Sequence, residues 1–263
     1  NENPDIIVNF AAETHVDRSI NEPAPFLKTN VLGVFNLLEL TRKLDIPLLI
    51  HISTDEVYGD LWNKPPADED APFRPSSPYS ASKASADLLC QAYWRTYKVP
   101  VIIVRPSNNY GPYQFPEKFI PKIIIRALHN KPIPVYGKGD QIRDWLFVED
   151  FCDALTVIIE KGKKGEAYNV PGFNEKRNLE VVQDVLKLMG KPKTLIKFVE
   201  DRPGHDRRYA MKGDKIKALG WKPKTDWITG LKITIDWYLK NRDWWQPLLS
   251  DKYFVVDTPW KKQ

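Results

Sequence analysis

The sequence predicts an α/β protein built on a doubly wound parallel sheet, with a smaller lobe towards its C-terminus. Three observations lead there. Short runs rich in Ile, Val and Leu alternate with longer stretches whose apolar residues recur at helical spacing. Three of these runs end in polar or small clusters, "AAETHVD", "STDEVYG" and "RPSNNYGP", and open parallel sheets bind ligands beyond the carboxyl ends of their strands. After Asn109 the texture changes: Pro, Gly and aromatic residues become frequent and the strands shorten.

The elements follow in order. "PDIIVNFAAE" (Pro4 to Glu13) is a short β-type run that gives way to small residues, and Asn30 to Leu44 carries helical apolar spacing. Pro47 to Thr54 is the second strand. Ser77 to Tyr97 is a helix opened by Pro78, whose fixed φ suits the first turn, and Val99 to Pro106 is the third strand. "IPKIIIRALHN" and "LEVVQDVLKLMG" supply isolated helices beyond Asn109, and "ITGLKITIDWYLKNRDWW" reads as an amphipathic helix. Arg143 to Gly162 reads as a strand and helix that return to the first lobe. The expected division assigns 1–110 and 143–172 to the sheet domain, and 111–142 and 173–263 to the second lobe. There is no internal repeat and no low-complexity segment.

Composition narrows the function. The 263 residues, 42% of them hydrophobic, suffice for one large α/β domain or two lobes around a shared core. No apolar run approaches the ~18 residues that cross a bilayer, and nothing at the start resembles a secretory signal, so a cytoplasmic location without membrane contact is expected. The net charge of +5 is modest and its Lys and Arg are dispersed among Asp and Glu. That argues against nucleic acid and suits a small anionic ligand such as a nucleotide. Cys90 and Cys152 lie in helix-like apolar contexts and read as two reduced core thiols. No His, Cys, Asp or Glu grouping has metal-ligand spacing, so no metal is expected. Abundant Lys, Ile and Pro with few Cys and Met would suit a heat-adapted source. The chain begins at Asn1 and its first methionine is Met189, which leads to the expectation of a segment upstream.

Asp55 and Glu56 follow the second apolar run directly. Adjacent carboxylates repel, and a cleft at a strand end gives them a reason to be there; the competing reading is that they cap the next helix. Tyr79 and Lys83 are four apart near a helix start and share a face. An ammonium beside a phenol favours the phenolate and lowers its pKa towards the range of a general base. Alone, that spacing is common in surface pairs. Its place one unit after a strand ending in Ser-Thr-Asp-Glu favours the chemical reading.

Taken together, "AAETHVDRSI", "TNVLGVFNLLE", "HISTDEVYGD", "SPYSASKASAD", "SNNYGPYQFPEKFIP", "YGKGDQIRDWLFVED" and "DRPGHDRRYA" resemble the dTDP-glucose 4,6-dehydratases, a family of extended short-chain dehydrogenase/reductases. The resemblance runs from Asn1 to about Tyr238. It implies a Rossmann-type sheet, NAD as cofactor, a nucleotide-sugar substrate and a homodimer. It also implies a reaction in the supply of deoxysugars such as rhamnose. Tyr79, assisted by Thr54, takes the hydroxyl proton as NAD oxidises the fourth carbon of the glucose, and Lys83 also holds the nicotinamide ribose. Glu56 removes the proton on the fifth carbon while Asp55 protonates the hydroxyl leaving the sixth, and the hydride returns to that carbon. An acid and a base of different protonation state are what this elimination requires. Related epimerases and decarboxylases share the Tyr-x-x-x-Lys and Asn-x-Tyr-Gly-Pro elements but usually lack the Asp-Glu pair.

The same resemblance assigns Ala11, Ala12, Thr29 and Asn109, with Tyr79 and Lys83, to the cofactor. Thr14, where the family often has serine, touches the sugar together with Thr54. Asn108, Glu117, Lys118, Pro134, Val135, Tyr136, Arg143, Asn178, Asp201, Arg202, Pro203, Gly204 and His205 form the nucleotide and diphosphate pocket. Guanidinium forks such as Arg143 and Arg202 match phosphate oxygens. The alternatives are a salt bridge from Arg143 to Asp140 or Asp144, and an ordinary surface role for His205.

The family's Gly-x-x-Gly-x-x-Gly turn, which brings a pyrophosphate to a helix N-terminus, has no counterpart before Gly33, nor has the acidic residue about 20 positions later. Aligning "PDIIVNFAA" with the family's fourth strand leads to the expectation of three strands upstream of Asn1. The 263 residues alone are then expected to bind NAD weakly, to lack dehydratase activity and to aggregate through an unpaired Ile6 to Asn9 edge. Two alternatives remain open: another NAD-dependent sugar-nucleotide dehydratase, epimerase or decarboxylase, and a non-catalytic nucleotide-sugar-binding module.

Overall fold

Along the chain, β1 (Ile7–Asn9) is followed by α1 (Val16–Asn21), α2 (Ala24–Phe26), a π-helical segment (Leu27–Leu32) and α3 (Gly33–Lys43). Next, β2 (Leu49–Ile52) leads into a one-turn 3-10 helix (Asp55–Tyr58), and α4 (Pro78–Tyr97), β3 (Val101–Pro106), β4 (Asn108–Tyr110) and α5 (Phe119–Leu128) follow. β5 (Ile133–Tyr136), β6 (Ile142–Phe147), α6 (Val148–Lys161), β7 (Ala167–Val170), β8 (Glu175–Arg177) and α7 (Asn178–Leu188) come next. After these come β9 (Ile196–Val199), α8 (Asp214–Ala218), α9 (Trp227–Lys240), α10 (Arg242–Trp245) and a 3-10 segment (Gln246–Ser250). These elements belong to a computed structural model that describes residues 4–250 and 257–260.

The main sheet has the order β1-β2-β3-β7, all parallel, with Ile50 paired to Ile102 and Ile103 to Ala167. Every residue of β3 is buried, as expected of a strand covered on both faces. One face packs Ile50, Ile102 and Val104 against Phe151, Ala154 and Ile158 of α6. The other packs Leu49, Val101 and Ile103 against Val34 and Leu38 of α3 and Cys90 of α4. Among the described residues β1 pairs on one side only, with β2, and Ile6 beside it is 39% exposed. A separate apolar cluster gathers α5, α7 and α9 around Tyr110, Trp145 and Trp227, flanked by the small sheets β4-β6-β8 and β5-β9.

Local chemistry explains α4 well. Ser77 caps it, Ser80 closes a capping box, Pro78 occupies the first turn, and Lys98 ends it in the left-handed conformation at φ 59°. Other segments depart from the sequence reading. The helical stretch before Leu44 begins at Ala24, not Asn30, because Pro23 and Pro25 open it and the π-helical segment carries it through. β6 does not join the main sheet: it pairs with β4 and β8, while α6 and β7 pack on and within the main sheet. Cys90 is buried, but Cys152 is exposed, on the face of α6 that also presents Glu149, Asp153 and Thr156 to solvent.

Candidate active site

The two carboxyl groups of interest hang from the 3-10 turn that leaves β2. Thr54 caps it: its Oγ1 accepts from the Glu56 amide at 3.3 Å and donates to Asp55 Oδ1 at 3.2 Å. Asp55 and Glu56 therefore do not cap a helix; Thr54 does. Gly59 ends the turn at φ 70°, and a Cβ there would lie 1.9 Å from the Arg74 carbonyl oxygen, so only glycine fits. Val57 drives the turn into an apolar cluster with Ala84 of α4 and Met211.

Burial separates the two acids. Asp55 is 4% exposed, and desolvation with the neighbouring Glu56 charge pushes its pKa well above the carboxylate range. Glu56 is half-buried; burial raises it too, but Arg202 and Arg143 pull against that rise, and Tyr209 donates to its Oε2 at 3.3 Å. Asp55 is the better proton holder and Glu56 the better base. Asp55 Oδ2 is buried and has no protein partner.

Tyr79 projects from α4 towards the same turn and hydrogen-bonds Thr54. Its phenol pKa is raised, first by burial and then by Glu56. This corrects the expectation that Lys83 lowers it. The Lys83 ammonium reaches the carbonyl oxygen of Ile52, at 2.6 Å, instead of the phenol, and its own pKa is lowered to about 8 by burial. Shared helical spacing puts two side chains on one face without fixing where a four-carbon stem ends.

Above the turn opens a cleft of about 1010 Å³, including its open mouth. Of the residues assigned from sequence, Thr14, Glu56, Asn108, Glu117, Lys118, Pro134, Tyr136, Arg143, Asn178, Arg202 and His205 line it together. Lys118 donates to the Thr14 hydroxyl at 2.9 Å and to its carbonyl at 3.0 Å, and Glu117 accepts from Arg18 at 2.7 Å. Arg143 makes no bridge to Asp144, whose carboxylate accepts from the Gly172 and Asn174 amides. Instead the Arg143 guanidinium donates to the Ile142 and Asp206 carbonyls and lies 4.2 Å above the Tyr209 ring. His205 is no surface residue: its side chain is 5% exposed, and its Nδ1 sits 2.6 Å from Asp201 Oδ1. Burial, then Arg202, lowers its pKa to about 4, so the ring is neutral at pH 7.

Other assigned residues lie elsewhere. Val135 turns into the apolar cluster around Tyr110, Trp145 and Trp227. Asp201 organises its loop, accepting from Gln141 at 2.8 Å and from the Arg202 amide, and Pro203 and Gly204 are exposed beside it. Ala11, Ala12 and Thr29 lie outside the cleft lining, Thr29 in the π-helical segment. Thr54 heads the turn and lies outside the cleft lining. Asn108 and Asn109 each carry a buried side-chain oxygen without a protein partner.

Sequence reasoning missed His15, Asp17 and Lys122, which also line the cleft. Asp17 is 3% exposed and accepts from Arg202 at 3.0 Å and from the Tyr136 hydroxyl at 3.1 Å. Burial and Arg126 lower the Lys122 pKa to about 8. "HVD", next to the end of the first strand, was the only local signal for the first two. Among the described residues no group of three His, Cys, Asp or Glu side chains could hold a metal ion, and no helix is long and apolar enough to cross a membrane.

The profile of the GDP-mannose 4,6 dehydratase family matches residues 1–234. A curated dTDP-glucose 4,6-dehydratase of Neisseria meningitidis is 50% identical over 272 residues, covering 95% of this chain and 77% of the relative. The crystal structure of a dTDP-glucose 4,6-dehydratase of Bacillus anthracis, in complex with NAD, superposes with a TM-score of 0.86 at 50% identity, covering 92% of this chain and 75% of that one. The UDP-glucose 4-epimerase of Thermotoga maritima, solved with UDP-glucose, has the same TM-score of 0.86 at only 28% identity, over 91% and 78% of the two chains. With identity near one half to the dehydratases over nearly its whole length, the chain belongs to the dTDP-glucose 4,6-dehydratase family.

Proposed function

We propose that this cleft and turn divide among their residues the dehydration of dTDP-glucose to dTDP-4-dehydro-6-deoxyglucose, the NAD-dependent lyase reaction of the family. The observation that carries the reading is the pair Asp55 and Glu56 on one buried turn beside Tyr79, with environments that hold the two carboxyls at different proton affinities. Related epimerases need one proton acceptor; an elimination needs an acid and a base.

The residues present fit the nicotinamide end of NAD. Ser53 Oγ and Asn109 Oδ1 are buried acceptors without protein partners near the strand ends, and Lys83 is held there by Ile52. Ala11, Ala12, Thr29, Tyr79, Lys83 and Asn109 would hold the group. When bound, NAD supplies reversible hydride acceptance. Tyr79, oriented by Thr54, would take the proton from the sugar hydroxyl as the phenolate, a form that its burial disfavours until cationic charge is bound beside it; Glu56 would take the proton next to the carbonyl, and Asp55 would deliver one to the departing hydroxyl. Arg143, Arg202 and Lys118 place positive charge along the cleft for a diphosphate, while Asn108, Glu117 and Asn178 offer directional partners to a base and sugar. In this reading the four-stranded sheet carries NAD, and the lobe built on α5, α7 and α9 carries the nucleotide sugar.

A homodimer completes the proposal. Ala81, Ser85, Leu88 and Ala92 form an exposed small-and-apolar seam along α4, beside exposed Leu32 and Phe35 of the neighbouring helical stretch that ends in α3. Such a seam suits close packing of two helix pairs, and sedimentation at several concentrations tests it.

The functional test supplies the full-length protein that carries these residues with NAD and, in turn, dTDP-glucose, UDP-glucose and GDP-mannose. Loss of one water from dTDP-glucose alone is expected. Epimerisation without water loss, or binding without turnover, would overturn the reading.

A further inference from the structure

Arg105 is 0% exposed near the carboxyl end of β3. Its Nε donates to Asp87 Oδ2 at 2.8 Å, and its Nη1 donates to the Tyr58 hydroxyl at 2.7 Å and the Glu69 carbonyl at 3.1 Å. The Tyr58 hydroxyl in turn donates to Asn169 Oδ1 at 2.8 Å on β7. Behind Asp87, His51 Nε2 lies 3.7 Å from Oδ1, and Asn9 Nδ2 lies 3.5 Å from His51 Nδ1. The chain of contacts thus crosses every strand of the main sheet. A buried ion pair of this kind adds little stability over apolar packing, since desolvating the charges offsets their attraction. Its position is more informative. Asp87 lies one helical turn beyond Lys83 on α4, and Lys83 lies one turn beyond Tyr79. Tyr58 is the last residue of the turn that carries Asp55 and Glu56.

A single 3-10 turn has almost no stability of its own, so its orientation depends on what holds its ends. Thr54 holds the front. At the rear, Val57 supplies apolar contact and Arg74 a backbone bond to the Val57 carbonyl, but the directional side-chain bond is that of Tyr58. We propose that the Asp87–Arg105–Tyr58 bridge is a positioning device that fixes the acid-base turn against the helix bearing Tyr79, so that Arg105 and Tyr58 govern the elimination step without touching substrate. The inference rests on the dehydratase reading for its catalytic half. It makes oxidation and elimination separable from outside the reacting centre: Tyr79 stays on α4, while the carboxyls lose their alignment.

The test compares the chain with Tyr58→Phe, which keeps the ring against Phe73 and beneath the Arg105 guanidinium. Amide exchange at Glu56 and Gly59 is expected to quicken about tenfold, as for one lost buried hydrogen bond, while the amides of α4 keep their rates. In a single turnover of the full-length protein with NAD and dTDP-glucose, reduced nicotinamide is expected to persist, since oxidation outruns elimination. Tyr93→Phe, which removes a phenol bonded to Glu39 far from the turn, serves as control and is expected to change neither reading. Should Tyr58→Phe not fold, Asp87→Asn weakens the other end of the bridge with an isosteric side chain and carries the same expectation for Glu56 and Gly59. Unchanged exchange at those amides, or an elimination rate equal to the parent's, overturns the proposal. If the parent chain does not dehydrate dTDP-glucose, the functional reading fails and exchange alone decides the bridge.

Discussion

The Lys83 ammonium donates to the carbonyl oxygen of Ile52 at 2.6 Å and is almost wholly buried there. Its pKa of about 8 lies below the ordinary 10.5 because burial disfavours the charge. The unfolded chain therefore binds more protons than the folded one between about pH 8 and 10.5, and stability rises with pH across that window. Lys122, lowered to about 8 as well, acts in the same direction. Above about pH 10 the raised phenols, Tyr58 at about 12 among them, reverse the slope. Urea unfolding at about pH 7 and about pH 9.5 should show the higher midpoint at the alkaline value, and the gain should shrink in Lys83→Met.

Asp55→Asn together with Glu56→Gln should lower the dehydration rate by about a hundredfold to ten-thousandfold while leaving oxidation measurable, because Tyr79 and Thr54 stay in place. The melting temperature should not fall, since the two substitutions remove groups whose charged forms burial disfavours. Reduced-nicotinamide absorbance that rises and persists checks the first expectation; calorimetry checks the second.

Tyr79→Phe should cost about a hundredfold to ten-thousandfold in turnover by removing the proton acceptor of the first step. Nucleotide affinity should stay within a factor of about two, because the phenol lies outside the cleft lining. Titration calorimetry with dTDP alone separates the two effects.

Arg202→Ala should weaken dTDP binding by about tenfold to a hundredfold and strip Asp17 of its guanidinium partner, leaving only the Tyr136 hydroxyl. Asp17→Asn in the same background should recover part of the lost stability, measured by urea unfolding, without recovering affinity.

Gly59→Ala should destabilise the chain by about 2–4 kcal/mol, because the new Cβ meets the Arg74 carbonyl at a φ that side chains avoid. Far-ultraviolet circular dichroism with a denaturant series measures it.

The sequence was most legible where local chemistry and packing agreed. "SPYSASK" announces its cap, its Pro and its helix, and "VIIVRP" reads as a doubly covered strand because β3 is one. The stretch "THVDRSINEPAPF" was opaque, since α1 and α2 are too short for a periodic apolar face. The partners of β6 could not be read either, because pairing at a sheet edge depends on tertiary neighbours. In the site, most residues assigned to the nucleotide pocket line one cleft while Ala11, Ala12 and Thr29 lie outside it, and Lys122 sits on an apolar helix with Arg126, where such charges read as solvated surface. Lys83 was placed on the right face, with its ammionium directed elsewhere.

The π-helical segment gives the chain a length constraint that side-chain identity does not reveal. Within Leu27–Leu32 the Gly33 amide reaches back to the Lys28 carbonyl, so the coil holds one residue more than an α-helix of the same rise. That surplus residue sets the azimuth of Asn30, whose amide group clasps the Glu13 backbone in both directions and the Ser82 hydroxyl. Deleting any one position between Ala24 and Thr29 would let the coil tighten and swing Asn30 by about 100° away from those partners. Exchanges of exposed side chains there, Leu27 and Lys28 included, would leave the azimuth untouched. The segment tolerates spelling changes but not a missing letter.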